Sequence, residues 1–150
     1  MTGPKARGCV FCDKIRENAD RQNFVLYRGA KAFIILNLYP YNNGHLMIVP
    51  YAHLGQLEKV DEATLSEVMR LAKRSVSVLR KVMQPDGFNL GFNIGKAAGA
   101  GIDEHLHLHV VPRWEGDTNF MPVLGETRVI PELLETTYDK LLAAGIASGE

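Results

Sequence analysis

The sequence predicts an α+β domain: a meandering antiparallel sheet packed against one long helix. Three observations predict it. Short apolar runs are separated by Gly, Pro and Asn turn signals, residues 62–83 form one long amphipathic stretch, and residues 105–109 alternate as His-Leu-His-Leu-His. A chain of 150 residues without internal repeats or low-complexity tracts fits a single domain over 1–150, large enough for one hydrophobic core.

The elements follow in order. Residues 12–18 suit a short helix. Residues 24–27 and 32–36 are rich in apolar and aromatic side chains and read as two strands joined around Arg28-Gly29. Pro-Tyr-Asn-Asn-Gly at 40–44 is a loop leading into a third strand at 45–50. Asp61 is placed to cap a helix over 62–83. There Leu65, Val68, Met69, Ala72, Val76, Leu79 and Met83 recur at three- and four-residue steps, with Glu67, Arg70, Lys73 and Arg74 largely between them. That stripe is expected to pack on the sheet, and Arg70, Lys73, Arg74, Arg80 and Lys81 to form a solvated face. Pro85-Asp86-Gly87 turns the chain into a strand at 88–93. A final helix is expected over 131–144, with Leu133, Leu134, Tyr138, Leu141 and Leu142 as its apolar side.

Composition narrows the function classes. Acidic and basic residues balance at 17 each, so no global field draws the chain to nucleic acid or anionic membrane. The opening Met-Thr-Gly-Pro-Lys-Ala-Arg-Gly has no apolar stretch behind it and does not read as a secretory signal, and no apolar run reaches spanning length. The two cysteines, Cys9 and Cys12, are too close to staple a fold. Metal binding or redox chemistry in a reducing compartment fits them better, and the cytoplasm is the expected location.

Three of the five histidines lie at 105, 107 and 109. In extended chain these share one face, while Leu106, Leu108 and Val110 share the other. Three readings stay open from the residues alone: buried structural histidines, a metal cage, or a nucleophilic imidazole held by its neighbours. Ahead of the stripe, Asn93 to Glu104 is rich in Gly and Ala, which lets backbone N–H groups approach an anion. Beside three histidines such a loop reads as a phosphate cradle facing a nucleophile.

Gly44-His45-Leu46-Met47-Ile48-Val49-Pro50 with His53, followed by His105-Leu106-His107-Leu108-His109-Val110-Val111, resembles the histidine triad superfamily of nucleotide hydrolases and transferases. The resemblance covers residues 9–119. The continuation Pro112-Arg113-Trp114-Glu115-Gly116-Asp117-Thr118-Asn119-Phe120-Met121 is similar to the branch holding the fragile histidine triad protein and diadenosine tetraphosphate phosphorylases. It implies a five-stranded antiparallel sheet with one long helix and one or two shorter ones, usually paired as a homodimer.

The resemblance also implies roles. His107 would attack the α-phosphorus of a nucleotide and form a nucleotidyl-imidazole. His109 would contact the α-phosphate, and His45 would belong to the proton relay behind it. Asn37 would bind the ribose, Asn93 the phosphate or leaving group, and Gly99, Ala100 and Gly101 would supply backbone donors. Many relatives place Ser, Thr or Gln just before the triad, whereas here stand Gly101-Ile102-Asp103-Glu104. Cys9, Cys12, His53 and His105 match zinc-site positions of many such proteins, a closed and therefore structural set.

A divalent cation such as magnesium would come with the substrate. Phe11, Phe33 and Leu36 are expected to form the base pocket, and Arg113, Trp114 and Asp117 the substrate mouth. The expected activity is cleavage at the α-phosphate of an adenine dinucleotide or nucleotide conjugate. Water is placed ahead of phosphate as acceptor, because Asp103 and Glu104 would repel phosphate if they faced the pocket. A phosphorylase or a nucleoside phosphoramidase would share the intermediate, and a nucleotide-binding signalling module is the rival from another class. The partners expected are a small nucleotide and a second copy of the chain, with neither nucleic acid nor membrane.

Overall fold

The first hairpin is set by a close approach at Gly29. Strands β1 (Val25–Arg28) and β2 (Ala32–Leu36) run antiparallel on either side of it. A Cβ at Gly29 would lie 2.4 Å from Glu67 Oε2, so only glycine lets this turn dock there. The same carboxylate oxygen accepts from the N–H groups of Lys31 and Ala32, at 2.8 and 3.0 Å. The computed structural model describes residues 8–38, 42–101, 104–117 and 132–148. The loop residues 39–41, Ile102, Asp103, residues 118–121 of the motif's continuation and Pro131 lie outside the described residues.

Three further strands complete the sheet: β3 (Leu46–Pro50), β4 (Gly87–Phe92) and β5 (Leu108–Arg113). The order is β1-β2-β3-β5-β4, with every pair antiparallel. The expected α+β architecture and five-stranded sheet are what is observed. Strands β2 and β3 are buried along their whole length because both faces of the sheet are covered, which explains their unbroken apolar sequences. Side-chain alternation sorts them. Ile34, Leu36, Leu46, Ile48, Leu108 and Val110 belong to the core shared with the long helix, whereas Phe33, Ile35, Met47 and Val49 pack with Cys9 and Phe11 on the other side.

The long helix, α3 (Glu62–Met83), starts where expected, with Asp61 Oδ1 accepting from the Thr64 N–H at 2.8 Å. Its buried face is another matter. Val68, Ala72 and Leu79 of the expected stripe are buried, but Thr64, Glu67, Leu71, Ser75 and Val78 are buried with them, while Met69 is 51% exposed and Leu65, Val76 and Met83 only flank the contact. The stripe is thus rotated by roughly a quarter turn from the apolar pattern. Polar groups cause the shift: Glu67, expected among the polar positions, is satisfied in the core by the hairpin amides.

Helix α1 (Val10–Glu17) begins earlier than expected because Cys9 caps it, its Sγ accepting from the Cys12 N–H at 3.4 Å. A short helix, α2 (Asp20–Asn23), follows. The last helix, α4, spans Leu134–Ala143; Leu133 is its N-cap and is 70% exposed rather than part of the apolar side. Tyr138 ties it to the sheet by donating from Oη to the Val25 carbonyl at 2.8 Å.

Candidate active site

Strand β5 begins at Leu108, so of the three clustered histidines only His109 lies on the strand; His105 and His107 occupy the approach to it. The shared face persists through that approach. The rings of His107 and His109 are 4.8 Å apart, and Phe11 packs on both His105 and His107, at 5.4 and 5.0 Å between centroids.

A cleft of about 480 Å³ opens beside this row. Sheet order sorts its wall. Met47 pairs with Ile35 on one side and His109 on the other, so it stands between the two. Asn93, Gly99, Gly101, His107 and His109 line the β5 side and residues 35–38 the β2 side, while Val10, Phe11 and Lys14 of α1 complete the wall, with Phe11 against the His107 ring.

Hydrogen bonds fix the chemistry of the rings. His107 Nδ1 lies 2.9 Å from the carbonyl oxygen of His105. A carbonyl can only accept, so Nδ1 carries the hydrogen and the Nε2 lone pair is left for the cleft. His109 Nδ1 and His45 Nε2 share a hydrogen at 2.9 Å, and the Asn37 amide nitrogen approaches His45 at 3.3 Å. Burial pushes His45 and His109 down to about 4, with neighbouring histidines adding to the effect, and burial also holds His107 below the ordinary histidine value. Near neutrality the row is uncharged. Among the described wall residues, Lys14 is then the one carrying a formal charge, and burial lowers its affinity for a proton.

The glycine-rich loop contributes less than expected. Residues Lys96–Ala98 form a 3-10 turn closed by Gly99 at φ 93°, a left-handed conformation that favours glycine. Within it the Gly99 N–H donates to the Lys96 carbonyl at 3.0 Å and the Ala100 N–H to the Gly95 carbonyl at 3.2 Å. Neither is available to a ligand, and Ala100 is buried off the wall. Gly101 keeps an N–H without an internal acceptor among the described residues, as does the Asn93 side-chain amide on the same wall.

A second cluster lies directly behind the row. Cys9 Sγ is 3.3 Å from His105 Nδ1, Cys12 Sγ is 3.4 Å from His53 Nδ1, and the two Nδ1 atoms are 3.2 Å apart. All four donor atoms fall within 4.8 Å of one another. Zinc bonds of about 2.3 Å to sulfur and 2.0–2.1 Å to nitrogen give tetrahedral edges of roughly 3.3–3.8 Å. The set fits. His105 Nε2 donates to the Pro50 carbonyl at 2.8 Å, which leaves Nδ1 unprotonated and facing the thiols, and His53 Nε2 lies 3.6 Å from Glu104 Oε1. These four residues could hold a metal ion.

A HIT domain is recognised over residues 18–116. The chain belongs to the HIT family. It is 45% identical over 130 residues to AP-4-A phosphorylase of Mycobacterium tuberculosis, a match covering 87% of this chain and 66% of that protein, so it spans a little under two-thirds of that relative's length. It is 33% identical over 134 residues to an uncharacterized HIT-like protein of Methanocaldococcus jannaschii, covering 89% of this chain and 95% of that one. Among solved structures it is similar to a zinc-bound histidine triad family protein from Mycobacterium smegmatis, with TM-score 0.74, 29% identity and coverage of 93% and 94% of the two chains.

In this HIT chain the structure gathers His107, His109, Asn37, Asn93, Gly99 and Gly101 around one cleft, with His45 buried behind His109. Of the expected base pocket, Phe11 and Leu36 line the cleft, but Phe33 does not: it is 1% exposed and stacks on Tyr51 at 5.6 Å. Arg113, Trp114 and Asp117 also stand away from it. The Asp117 carboxylate accepts from Arg113, the Trp114 N–H and Asn42, and Arg113 reaches Asn89, so these groups clasp the end of β5 to the β2–β3 loop. Lys14, Val10, Leu38 and Met47 were not expected on the wall. The signal for the first two lay in the Cys9 cap: once α1 starts at Val10, positions 10, 11 and 14 share a helix face.

Proposed function

We propose that this HIT-family chain is a nucleotidyl transferase that cleaves diadenosine polyphosphates or nucleotide conjugates at the α-phosphate through a covalent nucleotidyl-histidine. The observation that carries the reading is the His107 tautomer, in which the backbone takes the Nδ1 hydrogen and leaves the Nε2 lone pair at the cleft. Nε2 attacks the α-phosphorus. The bond to the bridging oxygen breaks, and the leaving polyphosphate departs with that electron pair. An acceptor oxygen then attacks the same phosphorus, the P–N bond breaks, and Nε2 recovers its lone pair. His109 contacts the transferred phosphoryl group, with His45 and Asn37 behind it to hold its ring. The Asn93 amide and the Gly101 N–H are the donors for charge developing on the phosphoryl and leaving oxygens.

Phosphate is the better acceptor on two grounds. The repulsion expected from Glu104 is relieved, because its carboxylate turns to His53 rather than to the cleft wall. The name of the M. tuberculosis relative supports the same direction. Incubation with diadenosine tetraphosphate tests both halves of the reading. ADP and ATP formed only when phosphate is added mean phosphorolysis; AMP and ATP formed regardless mean hydrolysis; no product excludes the transferase.

Cys9, Cys12, His53 and His105 are the ligands in this reading for one structural zinc per chain, which fastens the start of α1 to the approach to β5. No carboxylate lines the described cleft wall, so a magnesium ion would be held by substrate phosphates alone. A homodimer joined through β4 belongs to the same proposal, supported by the edge position of that strand and by Leu90 and Ile94, 42% and 45% exposed, on and just beyond it. Among the described residues no helix is long and apolar enough to cross a membrane. The cytoplasmic assignment rests on the paired free thiols of Cys9 and Cys12.

A further inference from the structure

One charged group in the cleft is explained neither by the histidine row nor by the cysteine cluster. Lys14 lies on α1 three residues after Phe11 and four after Val10, and all three side chains line the cleft. Other charges of α1 are occupied: Arg16 pairs with Asp13, and Glu17 accepts from Asn23. Lys14 is half-buried, and among the described residues its ammonium makes no hydrogen bond or close ion pair, Glu17 one turn on acting on it only through space. The wall around it is apolar apart from Asn37, whose amide is engaged with His45.

An ammonium offers three donors and no acceptor, and a desolvated one without a partner is costly. A planar base between Val10 and Phe11 on one side and Leu38 and Met47 on the other keeps its faces against hydrocarbon. Its edge is what remains for Lys14. Ring nitrogens of a purine accept hydrogen bonds; the exocyclic amine of adenine only donates and is no partner for an ammonium.

We propose that Lys14 is a specificity-determining residue whose Nζ donates to a ring nitrogen of the substrate's purine base. The inference rests on the reading of this cleft as a nucleotide site. A phosphate anchor at Lys14 is the rival contact, and lengthening the phosphate chain of the ligand separates it from a base contact.

Calorimetric binding of AMP and of 1-, 3- and 7-deaza-AMP to the full chain tests it, since each analogue replaces one ring nitrogen with C–H. One of the three is expected to bind wild-type protein about ten- to a hundredfold more weakly than AMP, the scale of a lost charge-assisted hydrogen bond. Lys14→Met, which keeps a long apolar stem, should weaken AMP by a similar factor and bind that one analogue no more weakly than AMP. Lys73→Met, on the exposed side of α3, should leave the Kd unchanged.

Three deaza analogues that all bind wild-type protein like AMP would overturn the contact, without reference to any variant. So would a Lys14→Met protein with unaltered AMP affinity, or one whose loss grows from AMP to ADP to ATP, the mark of a phosphate anchor. Wild-type protein that bound no AMP at all would instead overturn the nucleotide-site reading beneath it.

Discussion

His105 and His107 are two residues apart, share a face and pack on the same phenylalanine, yet they present opposite nitrogens. In His105 the Pro50 carbonyl takes the Nε2 hydrogen, and Nδ1 turns to two thiols and a second imidazole. In His107 the carbonyl of His105 takes the Nδ1 hydrogen, and Nε2 is left for the cleft. Side-chain chemistry is identical, and the difference lies in which backbone oxygen each ring meets. One residue of the motif is thereby fitted for architecture and the other for reaction.

The sharpest way to break this comparison is to remove each ring in turn. His107→Ala should lower turnover of diadenosine tetraphosphate by at least about 10³-fold, the scale for losing a covalent nucleophile, with AMP binding largely kept. His105→Ala should do something different. The group that orients His107 is the backbone carbonyl of residue 105, which survives the substitution, so folded His105→Ala protein should retain turnover while losing metal and stability. Equal losses of turnover in the two folded variants would abolish the division of labour.

The metal side of the comparison can be addressed from the other ligands. The purified protein is expected to carry about one zinc per chain. Cys12→Ser should lower Tm by roughly 10 °C, corresponding to about 3–5 kcal/mol of binding energy linked to folding in a domain of this size. Turnover below the new melting point should change much less. Metal-free protein with an unaltered Tm would remove zinc from the architecture; zinc loss that stopped chemistry without affecting Tm would move it into the active site.

How much of this was legible in the residues differs between the two histidines as well. The alternation at 105–109 could be read from types and spacing, and the grouping of Cys9 and Cys12 with His53 and His105 from the family resemblance, because both depend on side chains. The tautomers could not, because Pro50 and His105 contribute carbonyls, and any residue would supply those. The same blindness accounts for Gly99 and Ala100, whose small size was readable but whose N–H groups are spent inside a 3-10 turn. For α3, the cap at Asp61 was legible to the residue, while the buried face was legible only at Val68, Ala72 and Leu79, because Glu67, Thr64 and Ser75 also lie on it. Lys14 was hidden by a helix start placed at residue 12, which left Val10 and Phe11 outside the helix.

Acid provides a gentler probe of the reactive half. In the unfolded chain His45 and His109 take up protons below about pH 6.5, whereas folded they stay neutral down to about 4. Between these limits the unfolded state binds more protons, so stability rises with pH and is lost progressively as pH falls from about 6.5 to 4. Urea unfolding of wild-type and His45→Asn protein across this window should show the shallower acid loss in the variant. For activity, the acid limb of kcat/KM should fall below pH 6.5, since burial holds His107 neutral there too. An acid limb centred at the ordinary histidine value would mean that the row is more solvated than its burial implies.

The smallest effect should come from the outer partner of the metal cluster. His105 and His53 are both ligand candidates, but their second nitrogens meet different groups: a buried backbone carbonyl at 2.8 Å for His105, and for His53 the Glu104 carboxylate at 3.6 Å on a side chain that is 77% exposed. Outer partners of metal-bound imidazoles are typically worth about 10- to 100-fold in affinity. An exposed carboxylate beyond hydrogen-bond length belongs at or below the low end of that range. Glu104→Gln should therefore weaken zinc retention against a chelator by no more than about tenfold, with Tm and turnover close to wild type. A larger loss would mean that the carboxylate closes on His53 when metal binds, and a change in turnover would bring Glu104 back to the cleft from which its present orientation removes it.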